Sequence, residues 1–190
     1  MKHAEIVSQE ERYQVKTYRK KPIAAVRGQG CWIWDANEKR YLDLYGGHCV
    51  TLLGHNHPAV TAALKAQLDD LLFYSNAVFS PVRARAGAAL AALAPTGLQQ
   101  VFFCSTGTEA NETALKLARK TTGRSQVLAM EGGFHGRTLG SLSATHGKYR
   151  EAYKDVLAPT SFIPFGDPRP ALASLKSGQF AALIIEPIQS

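Results

Sequence analysis

The apolar positions of the chain change period along its length, and those changes divide it. Between residues 24 and 45 apolar and polar residues alternate in AAVRGQG, CWIW and RYLDLY, the period of half-buried strands. DANEK, between the last two segments, supplies turn-forming residues, so an antiparallel ribbon is expected. Gly28 and Gly30 resemble the opening of a dinucleotide fingerprint, but Ile33 stands at the next position of that pattern and a strand follows where a helix is needed. The ribbon is therefore the better reading.

After the loop GGHCVTLLGHNHP the period becomes helical. Pro58 opens a helix whose apolar stripe is Ala59, Ala62, Ala63, Ala66, Leu68, Leu71 and Leu72, with Lys65, Gln67 and Asp69 facing away. Pro81 opens a second, VRARAGAALAALAP, which ends near Pro95-Thr96-Gly97. Four apolar residues, Val101 to Cys104, then predict a short buried strand, and Ser-Thr-Gly-Thr-Glu turns the chain into a helix over residues 108 to 121. That helix is expected to bury Ala110, Ala114, Leu117 and Ala118. Thr106 and Glu109 have capping-box spacing at its start, and Gly123 stops it. A strand at Val127 to Met130, a helix from Lys148 to Leu157, a strand around Ser161 to Pro164, a Pro-initiated helix through Lys176 and a third buried strand, Ala181 to Ile185, complete the pattern. Strands alternating with helices predict an α/β fold with a mostly parallel sheet covered on both faces.

Composition narrows the class. The 190 residues are 45% hydrophobic and 19% charged, enough apolar material for a core. The formal charge of +7 is scattered except in KTYRKK, Lys16 to Lys21, which reads as a solvated basic segment, and no nucleic-acid partner is expected. Cys31, Cys49 and Cys104 are odd in number and widely spaced, which suggests neither a disulfide framework nor a zinc site and favours a reducing cytosol. His48, His55 and His57 read as histidines with local hydrogen bonds. No membrane segment is expected, because no apolar run reaches about 18 residues.

In an open α/β sheet, ligands sit beyond the carboxyl ends of the strands. Three strand ends here carry unusual residues. The first is Ser105-Thr106-Gly107-Thr108 at a helix N-terminus, where free N–H groups and the helix dipole attract an anion. The second is Gly133-Phe134-His135-Gly136-Arg137, with a ring, an imidazole and a guanidinium close together. The third is Glu186-Pro187-Ile188-Gln189, a carboxylate leaving an apolar strand. Each has an ordinary explanation: a helix cap, a core phenylalanine, a loop-orienting histidine, a surface arginine, a structural glutamate. Together they suit a planar phosphorylated cofactor. No G-x-x-x-x-G-K-[ST] occurs, and Lys116 lies too far along its helix to serve a nucleotide-binding loop.

These segments resemble the class III pyridoxal-phosphate-dependent aminotransferases, particularly the acetylornithine and ornithine group. The resemblance runs through the ribbon G-x-x-x-W-x-D-x-x-x-x-x-Y-L-D-L, LGHNHP, SNAVF, FFCSTGTEANETALKLAR, GGFHGRTLGSLSATH and IIEPIQ, nearly the whole chain. It implies a fold type I transferase in which residues 1–57 belong to the small domain and residues 58–190 form the first part of the large cofactor-binding domain, a three-layer αβα sheet here incomplete. It also implies pyridoxal 5'-phosphate as cofactor. Thr106, Gly107, Thr108, Phe134, His135 and Glu186 would lie at that cofactor, with Gly107 and Thr108 on its phosphate and Phe134 stacked on its ring. Arg137 would bind the carboxylate of an amino-acid donor or of 2-oxoglutarate.

The expected reaction is transfer of an amino group from N-acetylornithine or a similar ω-amine to 2-oxoglutarate, in arginine biosynthesis. Ornithine or 4-aminobutyrate as donor, or a non-catalytic phosphate-binding piece, are the alternatives. A cytoplasmic homodimer is implied, with the loop near Ser75 and Asn76 close to the interface. Thr106 stands where many members have Ser or Gly, and Ser190 where Gly is frequent. The family's Schiff-base lysine lies beyond Ser190, so residues 1–190 are expected to be an N-terminal portion, inactive alone.

Overall fold

A computed structural model describes residues 1–189; Ser190, singled out above, lies outside the described residues. The chain folds into two compact units, Met1–Ser80 and Pro81–Ser190. The first contains α1 (His3–Tyr13), the antiparallel strands β1 (Ala25–Gln29), β2 (Trp32–Asp35) and β3 (Arg40–Leu42), a single turn α2 (Gly46–Cys49), and α3 (Pro58–Asp70). Arg27, Trp34 and Arg40 pair in register across the ribbon, and the Arg27 guanidinium lies 3.6 Å from the centre of the Trp34 ring. The DANEK turn is tied by Asp35, which accepts from the Asn37 and Lys39 amides and from the Tyr41 hydroxyl.

Gly28 has a packing reason. A Cβ there would sit 2.7 Å from the His55 side chain, which reaches Asp43 with its Nε2 at 2.7 Å, while Gly30 and His55 exchange backbone hydrogen bonds. The glycine admits the His loop to the ribbon. α2 winds left-handed, with φ near 60° at Gly46, Gly47, His48 and Cys49. The stripe expected on α3 is not covered within this unit: none of its residues is buried.

The second unit contains α4 (Pro81–Leu93), α5 (Gly107–Thr122), β4 (Gln126–Met130), α6 (Leu139–Ala144), a 3-10 helix (Lys148–Val156), β5 (Thr160–Ile163), α7 (Pro168–Lys176) and β6 (Phe180–Ile184). The strands form a parallel sheet in the order β5-β4-β6. Central β4 is the most buried, with Val127, Leu128 and Ala129 fully covered. Leu128, Met130, Ile163, Ala171 and Phe180 form the core cluster, so α7 covers the sheet through Ala171, while α5 packs on β6 and α6.

Three expectations fail. Val101 to Cys104 form no strand and are exposed, Phe102 by 65%. Their apolar side chains favour burial, but a strand also needs a partner row of N–H and C=O groups, and the described sheet offers them none. On α5, Ala110, Ala114 and Leu117 are exposed, and the buried residue is Leu115. Polar neighbours bring this about: Asn111 and Glu112 bond to the loop after β4 and to α6, which turns the helix face containing Leu115 inward. Finally, Lys148 to Leu157 adopts the tighter 3-10 winding over Lys148–Val156.

Candidate functional site: a cleft at the start of α5

Thr106 is the N-cap of α5, with extended backbone. Its hydroxyl accepts from the Glu109 N–H and donates to Glu109 Oε2, which also accepts from the Ser105 N–H at 2.9 Å. This reciprocal cap occupies the Thr106 side chain. The next amides, of Gly107 and Thr108, belong to the first helical turn, where no preceding carbonyl of the helix can bond them. A Cβ added at Gly107 would meet nothing within 4 Å. Backbone donors at the positive end of a sixteen-residue helix thus lie beside open space at Gly107.

The loop after β4 forms the opposite wall. The Phe134 N–H donates to Glu186 Oε2 at 2.8 Å, tying the end of β4 to the end of β6. The Phe134 ring is 46% exposed and meets Tyr149 edge-on, with centroids 5.9 Å apart. His135 turns inward and is only 6% exposed; its N–H donates to Thr145 Oγ1 at 2.9 Å, and its carbonyl accepts from Asn111 Nδ2 at 2.7 Å. Its Nε2 is buried with no hydrogen-bond partner among the described residues. Burial pushes the imidazole pKa down, and the nearby Glu186 carboxylate opposes that shift only in part. The neutral form of the His135 ring is thereby favoured.

Two glycines let the walls meet. At Gly136, with φ of 129°, a Cβ would lie 2.3 Å from Thr108 Oγ1. At Gly140 a Cβ would lie 2.1 Å from Glu112 Oε2. Glu112 fills the space so left: its Oε1 accepts from the Thr138 hydroxyl at 2.6 Å and from the Gly140 and Ser141 amides at 2.8 and 3.2 Å. Burial alone would raise the Glu112 carboxyl, but the Thr138, Ser141 and Gly140 hydrogen bonds together hold it below its ordinary value. Thr138 in turn contacts Thr108, with 2.8 Å between hydroxyl oxygens.

The result is an open cleft of about 620 Å³. Six residues singled out in the sequence line it together: Thr106, Gly107, Thr108, Phe134, His135 and Arg137. Glu186 is not on its lining and touches it through the Phe134 amide. Gly136, from the loop named with them, lines it too, as do Asn111 and Thr138, which were not singled out, nor was Glu112 behind them. Helical spacing from Thr108 through Asn111 and Glu112 to Leu115 is the signal that places them on one face. The chemistry available is an anion site of backbone amides, an exposed ring, a buried imidazole and a guanidinium.

Comparison with known proteins is consistent across sequence and structure. The family model for aminotransferase class-III matches residues 13–190. An acetylornithine aminotransferase of Methanopyrus kandleri is 42% identical over 180 residues, 94% of this chain and 46% of that protein. A [LysW]-aminoadipate semialdehyde transaminase of Deinococcus radiodurans is 40% identical over 183 residues, 95% of this chain and 42% of that protein. The crystal structure of an ornithine aminotransferase from Toxoplasma gondii, with partial occupancy of PLP at its active site, superposes with a TM-score of 0.89 at 28% identity, over 99% of this chain and 46% of that one. The chain spans slightly less than half the length of each.

Proposed function

Since the chain belongs to the class-III aminotransferase family, we propose that the intact protein is a pyridoxal-phosphate-dependent aminotransferase that moves an amino group from N-acetylornithine or a similar ω-amine to 2-oxoglutarate, in arginine biosynthesis. The observation that carries this reading is the convergence of the α5 N-terminus with Phe134, His135 and Arg137 on one cleft.

The residues fit the cofactor. The Gly107 and Thr108 amides belong to the first turn of α5, where no preceding carbonyl of the helix bonds them, and the space beside Gly107 is open, which suits a phosphate, and the half-exposed Phe134 ring offers a flat apolar surface to a pyridine. The unpartnered Nε2 of His135 leaves a polar atom for a polar group of the ligand. Pyridoxal phosphate, when bound, supplies the electron sink for amino transfer. Thr106 contributes its backbone only, because its hydroxyl is spent on the Glu109 cap. Glu186 positions the ring wall through the Phe134 amide. Arg137 holds the carboxylate of the amino-acid donor and of 2-oxoglutarate, since a guanidinium fork matches a carboxylate.

The same reading makes the protein a cytoplasmic homodimer, with the loop near Ser75 and Asn76 at the subunit interface. Similarity to the Deinococcus radiodurans transaminase supports a second donor class, an amine related to aminoadipate semialdehyde. Measured kcat/KM for the two donor classes separates them. Replacing Arg137 by Ala should raise KM for both substrates and cost roughly 2 to 4 kcal/mol in kcat/KM. Unchanged kinetics would remove the arginine from the proposed site.

A further inference from the structure

We infer that Glu112 is a positioning residue for the anion cleft, acting through Thr138 to set the direction in which the Thr108 hydroxyl points its hydrogen. The argument is a count of protons. A carboxylate can only accept, so in the 2.6 Å contact between Thr138 Oγ1 and Glu112 Oε1 the threonine is the donor. Thr138 has one O–H and has spent it. In the 2.8 Å contact between Thr138 and Thr108, Thr108 must then donate. The Gly140 and Ser141 amides on the same Glu112 oxygen favour its ionised form and fix the arrangement.

The consequence falls on the cleft. At rest Thr108 presents lone pairs, not a hydrogen, to an arriving phosphate oxygen. The backbone amides of the first turn of α5 are then the donors, and Thr108 can join them only by giving up its bond to Thr138. Glu112 thereby tunes phosphate affinity downward without touching the ligand. This rests on the anion-binding part of the proposed function, and the probes below separate the two.

The decisive variant is Thr138→Val, which keeps the side-chain shape and the Glu112 charge but removes the acceptor that holds the Thr108 hydrogen. Calorimetric titration of the intact protein with inorganic phosphate, pyridoxal phosphate and pyridoxal should show the two phosphate-bearing probes bound about 5-fold more tightly, the value of roughly one hydrogen bond, and pyridoxal unchanged. In a Thr108→Val background, Thr138→Val should have no effect. Glu112→Ala leaves Thr138 its hydroxyl but frees the hydrogen that Glu112 held, so phosphate should bind more tightly than in the parent, and by no more than in Thr138→Val once the effect of the lost charge, read from Glu112→Ala in the Thr108→Val background, is subtracted. If Glu112→Ala does not fold, Glu112→Asp, whose shorter side chain draws the carboxylate back from Thr138, is measured in its place. Unchanged or weaker phosphate binding in Thr138→Val, or the same change without the Thr108 hydroxyl, would overturn the inference. A protein that binds phosphate but not pyridoxal phosphate would refute the cofactor reading, while the phosphate cycle still decides the role of Glu112.

Discussion

Gly136→Ala is the substitution whose cost is most directly calculable. The backbone at Gly136 has φ of 129°, a region a side chain rarely enters, which costs about 1 to 3 kcal/mol. The new Cβ would also lie 2.3 Å from Thr108 Oγ1, 2.7 Å from Thr108 Cβ and 2.9 Å from Ser141 Cβ. A Thr108 rotamer change relieves only the first of these contacts, since the Cβ moves only with the α5 backbone. Overpacking of this kind costs about 1 to 3 kcal/mol more. A total of roughly 4 kcal/mol corresponds to about a thousandfold in a local opening equilibrium. Hydrogen exchange of the intact protein, read on peptides covering residues 134–145, should show that loss of protection, centred on the Leu142 and Thr145 amides that bond within α6. Gly107→Ala is the control, because nothing lies within 4 Å of its Cβ; it should stay within about 0.5 kcal/mol of the parent. Wild-type protection in Gly136→Ala would refute the reasoning that the two walls of the cleft are in contact there.

Leu115→Ala should destabilise the second unit by about 3 kcal/mol, since Leu115 is 2% exposed, and Leu117→Ala, at 58% exposed, should change stability by less than about 0.5 kcal/mol. Urea midpoints of the two variants check the assignment of the buried face, and a larger effect at Leu117 would reverse it. For His135 the folded pKa lies below the ordinary 6.5, so as pH falls the unfolded chain takes up the proton first. Its contribution is therefore fully present above pH 6.5 and declines as pH drops from there toward the lowered folded value. Urea midpoints from about pH 8 to about pH 5 should fall more steeply in the parent than in His135→Asn, and parallel curves would exclude His135 as the cause.

Local chemistry determined a good part of this protein without help from the fold. Pro58, Pro81 and Pro168 each stand at or next to a helix start, and Gly123 closes α5 in the left-handed conformation. The alternation in residues 24 to 45 is the ribbon, because a period of two places side chains on two faces whatever lies beyond them. The cleft residues were legible for the same reason: a cap, a small residue and a loop after a strand are set by neighbours in sequence. Partners distant in the chain decided the rest. Val101 to Cys104 carry the side chains of a strand, but pairing needs a second backbone. Leu117 looks as apolar as Leu115, yet only the segment that arrives beside α5 determines which of them is covered. Glu112, an unremarkable helical glutamate in the sequence, acquires its three donors from residues 138 to 141, some 26 to 29 positions away, and only the tertiary structure brings that loop to its carboxylate.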